Sequence, residues 1–123
     1  MTYDALTKHM LSLPGATLSI QWDDDHIFKV DGKMFAGMGP KKTKPHGISF
    51  KADDLSFEVL TKKRGITPAR YLARAKWVSL DKLERLPDTQ LKAYVTRAHA
   101  IVAAGLPRKT RAALGIAESK ADA

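Results

Sequence analysis

The residues of this chain best suited to chemistry are its cations. Lys41, Lys42 and Lys44 occupy a short stretch bounded by Gly37, Gly39, Pro40 and Pro45. Lys62, Lys63, Arg64, Arg70, Arg74 and Lys76 follow with no acidic residue between Glu58 and Asp81, and Arg108, Lys109 and Arg111 carry the basic character further on. Cations clustered on loops can track a phosphate backbone, and the counterions they release give an affinity that falls steeply with salt. Tyr71 and Trp77 lie inside the second run, where an aromatic ring can stack on an exposed base. Each feature also has a plainer use. Lys62-Lys63-Arg64 suits the negative end of a helix dipole, and a tryptophan in a short strand is ordinarily a core residue.

Other chemistries are poorly served. Gly37-Met38-Gly39-Pro40-Lys41-Lys42-Thr43 lacks the G-x-x-x-x-G-K-[ST] spacing, and no helix start follows it to aim backbone amides at a phosphate. Asp23-Asp24-Asp25-His26 offers ligand types for a divalent ion, but the central glycine and terminal glutamate of an EF-hand are missing, and aspartates are normal turn formers. His9, His26, His46 and His99 are scattered without H-x-x-x-H spacing, and no serine lies in G-x-S-x-G. The chain has no cysteine, which excludes thiol catalysis, disulfides and cysteine-based zinc sites. The sequence therefore predicts no catalytic residue, no cofactor and no metal.

The elements that must position the cations follow from periodicity. Tyr3, Leu6, Met10 and Leu13 form one helical stripe, with Thr2 as the cap and Pro14-Gly15 as the stop. From Thr17 the period changes to two, so Leu18, Ile20 and Trp22 predict the buried face of a strand. Asp23–Asp25 make a turn, His26–Val30 a second strand, and Asp31-Gly32 a type I′ hairpin into Lys33–Ala36. A fourth strand is expected at Gly47–Lys51. Asp53 can cap a second helix, with Leu55, Val59 and Leu60 apolar, Phe57 a further candidate, and Gly65 its end. Thr67-Pro68 reads as a breaker and Trp77–Leu80 as a short strand. Pro87-Asp88 opens a third helix carrying Leu91, Tyr94, Val95, Ala98, Ile101 and Val102, closed by Gly105 and Pro107. This order predicts an α+β domain of two layers, an antiparallel meander packed against helices. Phe28, Val30, Phe35, Ile48 and Phe50 join Leu18, Ile20 and Trp22 on its helix-facing side.

At 123 residues the natural count is one domain, over residues 1–110, followed by a weakly structured tail over 111–123. The formal charge is +8, yet residues 1–31 are acidic, with Lys8 and Lys29 against Asp4, Asp23, Asp24, Asp25 and Asp31. All of the positive excess thus lies downstream. Hydrophobic content of 44% excludes wholesale disorder, apolar runs are too short to span a bilayer, and the first residues show no signal-peptide pattern. A monomer in the cytoplasm, without a membrane partner, is the expectation.

Read in order, Leu13-Pro14-Gly15-Ala16, Phe28-Lys29-Val30-x-Gly32-Lys33-Met34-Phe35-Ala36, Gly65-Ile66-Thr67-Pro68-Ala69, Lys76-Trp77-Val78 and Leu86-Pro87-Asp88 resemble the MmcQ/YjbR family over roughly residues 2–110. The resemblance implies a small α+β domain similar in build to the frataxin-like and secretion-chaperone-like folds. It also implies DNA binding through two projecting β-hairpin wings. Asp31-Gly32 matches the family's hairpin turn and Lys76-Trp77 its basic-aromatic step, whereas Ala98-His99 replaces the Ser-Tyr pair that many relatives carry in the last helix. The resulting expectation is a non-enzymatic module that binds duplex DNA by setting Lys41, Lys42, Lys44, Lys62, Lys63, Arg64, Arg70, Arg74 and Lys76 on phosphates. The alternatives are a protein-interaction or chaperone-like module and, further off, a small-molecule-binding domain.

Overall fold

The structure, a computed structural model, describes residues 1–21, 23–70 and 72–116. Helix α1 spans Tyr3–Leu11, and the Thr2 hydroxyl accepts from the Ala5 amide at 3.1 Å, as a capping side chain should. Four strands follow, β1 (Ala16–Gln21), β2 (Asp25–Val30), β3 (Lys33–Met38) and β4 (Ile48–Lys51); then come α2 (Asp54–Leu60), β5 (Ile66–Pro68), β6 (Trp77–Leu80), α3 (Asp88–Ala104) and α4 (Arg108–Ala113). All neighbouring strands are antiparallel, in the order β1-β2-β3-β4-β6-β5. The first four strands are the expected meander. Beyond β4 the chain departs from it, because β6 slots in beside β4 and pushes β5 to the edge.

The predicted type I′ turn is present, with φ of 50° at Asp31 and 76° at Gly32, and Val30 pairs with Lys33 across it. One step further β3 carries an extra residue: Lys29 faces Met34 while Phe28 faces Ala36. This bulge puts the successive residues Phe35 and Ala36 on the same face, both fully buried. Phe35 thereby reaches α3, where its ring meets the His99 imidazole edge-on at 5.3 Å. His99 is only 5% exposed, and its Nε2 donates to the Pro14 carbonyl at 2.7 Å, which ties α3 to the turn before β1. Phe28, Val30, Phe35, Ile48 and Phe50 form the core with Leu6 and Met10 of α1 and Leu91, Val95 and Ala98 of α3, as the alternation predicts.

Several expectations need correction. Leu18 is half-buried against the core, but Ile20 is 59% exposed, because β1 is an edge strand whose far end lies outside the cover of the helices. Trp22 and Tyr71 lie outside the described residues. Leu55 and Val59 do not pack inward: they are 74% and 47% exposed, and α2 is anchored by Leu60 and Phe57 instead. That helix also stops at Leu60, with Thr61 as its C-cap, and Gly65 sits in the turn into β5. Thr67-Pro68 does not break the sheet. It pairs with β6 as an outer strand, where a proline without an amide proton is tolerated. Helix α4 crosses the expected domain limit at residue 110, and Leu114 and Ile116 pack against the core.

Candidate nucleic-acid interface

The strand register decides where the cations go. Met38, Ile48, Leu80 and Ile66 form one transverse row of the sheet. Lys41, Lys42 and Lys44 lie between Met38 and Ile48, and Lys62, Lys63 and Arg64 precede Ile66, so both groups emerge at the same end of the sheet. Lys82 and Arg85 follow Leu80 at that end too, and sequence reading missed them because acidic neighbours break up their run. Arg70, Arg74 and Lys76 belong elsewhere. They lie between Pro68 and Trp77, whose strands meet at the opposite end. The nine expected site residues therefore form two groups, six at one end and three at the other.

The two groups also differ in how their charges are held. Lys76 takes a left-handed backbone (φ 62°) that turns the chain into β6, and its ammonium lies 5.0 Å from the centroid of the Phe57 ring. It is half-buried and fixed in place. Beside it the Lys51 ammonium donates to the Ala75 carbonyl. Trp77 is buried, 6% exposed, on the sheet face away from α1 and α3, where it lines a groove of about 390 Å³ with Ile27, Gly37, Ser49 and Leu72. So little of the ring is accessible that it cannot act as a stacking platform for a base.

At the first end, the loop lysines lean toward acid. Lys41 pairs with Asp4 at 2.8 Å, and Lys42 lies 3.8 Å from Asp24 in the turn between β1 and β2. The loop is braced from inside by Tyr3, whose hydroxyl donates to the Gly39 carbonyl at 2.7 Å, and by His46, whose Nε2 donates to the Lys41 carbonyl at 2.6 Å. The Tyr3 ring contacts both His46, at 4.7 Å, and His26, at 5.5 Å, a cluster that scattered histidines in the sequence gave no means of finding. Burial, then the nearby Asp25 and Asp4, push the Tyr3 phenol above its ordinary value. Arg85 is held by a two-point contact to Asp81, at 2.7 and 2.9 Å, and this hydrogen-bonded pairing lowers the Asp81 carboxyl below its usual range. Lys44, Lys62, Lys63 and Arg64 are exposed and make no salt bridge among the described residues. Among the described residues they hold no carboxylate that a phosphate would have to displace.

No group of three His, Cys, Asp or Glu suited to a metal occurs among the described residues, and no described helix is long and apolar enough to cross a membrane. What the geometry defines is a small α+β domain with a one-sided sheet and a basic end. The model of the YjbR family matches residues 11–101, and the chain belongs to that family. In three dimensions it is similar to the crystal structure of Deinococcus radiodurans protein DR2400, described as a DUF419 domain. The two share 25% identity at a TM-score of 0.84, over 96% of this chain and 91% of that one. No curated protein matches the chain.

Proposed function

We propose that this protein is a non-enzymatic, cytoplasmic module that binds duplex DNA through its phosphates. One observation carries the reading: two cation clusters some twenty residues apart in sequence emerge at one end of the sheet, and four of their charges, Lys44, Lys62, Lys63 and Arg64, have no described carboxylate partner. Contacts of this kind position a protein on a duplex without reading bases, so binding is sequence-tolerant. Arg70, Arg74 and Lys76, at the opposite end, do not share this surface. Fluorescence anisotropy on a labelled duplex over a salt series tests the reading. If about four phosphates are neutralised, log affinity falls against log salt with a slope of about −3.6. Absence of binding at low salt, or a slope near zero, removes it.

A protein-interaction module remains the second reading, favoured by the apolar α2 surface. Leu55 and Val59 lie one turn apart, Leu55 mostly and Val59 about half in solvent, and Leu55 borders an open groove of about 770 Å³ with Ala93 and Tyr94 of α3. Isolated exposed leucines are common, and this pair gains weight only if DNA binding fails.

A further inference from the structure

The two edges of the sheet are built differently. β5 is three residues long and contains Pro68, which is how an edge is kept from pairing with another chain. β1 is six residues long, Ala-Thr-Leu-Ser-Ile-Gln, with no proline, no charge, and Ile20 59% exposed. From this contrast, we infer that β1 pairs antiparallel with β1 of a second copy of this chain, joining two sheets across a twofold axis.

The backbone is oriented for it. A two-residue type I′ turn closes on a hydrogen-bonded pair, here Val30 and Lys33, so His26, Phe28 and Val30 direct their amides and carbonyls toward β3. Asp25, Ile27 and Lys29 then point theirs toward β1, where they face Gln21, Ser19 and Thr17. The backbone groups of Leu18 and Ile20 are left aimed at an edge that no strand covers among the described residues. In agreement, the Ala16 amide does not enter the ladder and bonds the Leu13 carbonyl at 3.0 Å.

The pleat allows only registers in which residues of the same face oppose each other, so the twofold axis passes through a residue rather than between two. Centred on Ser19, Leu18 opposes Ile20 of the second copy, and Ile20 opposes Leu18. Both pairs are hydrogen-bonded and apolar, and they cover the one large side chain that β1 leaves in water. Centred on Leu18, Ile20 would meet only Ala16. Charge favours the same arrangement. Antiparallel pairing from Ser19 brings the Asp23–Asp25 turn of each copy beside the Pro14-Gly15 turn of the other. Next to Gly15 packs Leu114, at the end of the helix that carries Arg108, Lys109 and Arg111. An acidic turn thus faces the side of the fold that carries a basic helix, twice, related by the axis.

The absence of native cysteine makes the register directly testable. Across the axis, Ser19 and its counterpart form a non-hydrogen-bonded pair with Cα atoms ~4.5 Å apart, inside the range a disulfide spans. The single-cysteine variant Ser19→Cys should therefore crosslink into a dimer under mild oxidation, whereas Thr17→Cys should not. By sedimentation or light scattering, the wild-type chain should weigh twice 13.5 kDa at micromolar concentration. Ile20→Lys should return it to a monomer with an unchanged melting temperature, since Ile20 is exposed in the single chain. Leu55→Lys, on the other exposed apolar surface, should leave the dimer intact. A wild-type chain that stays monomeric to hundreds of micromolar overturns the inference and leaves the edge to an extended segment of another protein. A dimer broken by Leu55→Lys and not by Ile20→Lys overturns it in favour of α2.

Discussion

Tyr3 shows how much one side chain can tie together. Its ring fills the gap between α1 and the loop after β3, and its hydroxyl holds Gly39, where the chain leaves the sheet toward Lys41. Replacing Tyr3 with Phe should cost about 1 kcal/mol near neutral pH, the usual net worth of one internal hydrogen bond, as read by chemical denaturation. The same variant should change the alkaline limb. Because the folded phenol titrates above its unfolded value, the native state keeps a proton that the unfolded chain releases. Stability is thus complete below about pH 10 and declines as pH rises beyond that value, and Tyr3→Phe should remove this component of the decline. An unaltered alkaline limb would show that other groups cause it. Gly47 makes a different kind of demand. A Cβ there would lie 2.7 Å from the Leu80 carbonyl oxygen, which is backbone and has no room to move without disturbing the β4–β6 ladder. Gly47→Ala should therefore destabilise by about 1–3 kcal/mol, the range for overpacking a tight site. Neither constraint is visible in the sequence, where Tyr3 is one member of an apolar stripe and Gly47 the first residue of an expected strand.

Elements with strong local signals were legible. Asp31-Gly32 allows few conformations other than the tight hairpin turn, and Thr2, Asp53 and Pro87-Asp88 each mark a helix start that the structure contains. Where packing decides, local reading went astray. Which side of α2 is buried depends on where β5 and β6 lie beneath it, so Leu55 and Val59 read as core and Phe57 as optional, the reverse of what occurs. Thr67-Pro68 reads as a breaker in a stretch with room for one short strand or two, because Pro68 does not suit an interior strand, and only the strand order makes β5 an edge. The cap of α2 supplies the prediction at this scale. The Asp53 carboxylate accepts from the Ser56 amide at 2.7 Å, and this backbone hydrogen bond, helped by Arg97 at 3.3 Å, holds its pKa below the usual value. Its contribution is present above about pH 4 and is lost as pH falls through the lowered folded value. Asp53→Ala should lower stability by about 1 kcal/mol at neutral pH and flatten that acid limb. Asp53→Asn, an equally good cap, should restore most of the neutral stability but not the acid limb, separating capping from charge. Equal losses in both variants would mean that the carboxylate charge, and not the cap geometry, stabilises α2.

At the scale of the whole molecule, charge is sorted by the ends of strands, which is why the binding surface could not be drawn from the sequence. The run from Lys62 to Lys76 looks continuous in one dimension, yet β5 lies between Arg64 and Arg70 and carries the chain from one end of the sheet to the other. Lys41–Lys44, far away in sequence, is the true neighbour of Lys62–Arg64. Two triple-alanine variants follow from this arrangement. Lys41 and Lys42 already face Asp4 and Asp24, so a phosphate that takes them must displace a carboxylate, and the net gain is small. Removing Lys41, Lys42 and Lys44 together should then reduce the salt slope by about 0.9, the share of Lys44 alone. Removing Lys62, Lys63 and Arg64 should reduce it by about 2.7, because three charges with no described carboxylate partner are lost. Both variants should keep the wild-type melting temperature closely, since each exposed substitution shifts stability by about 0.5 kcal/mol or less. Arg70→Ala with Arg74→Ala should leave DNA affinity unchanged, these residues being at the far end. Equal slopes in the two triple variants would show that the carboxylate partners of the loop do not matter. A loss of affinity on removing Arg70 and Arg74 would move the interface to the opposite end of the sheet, where the hairpin of β2 and β3 turns.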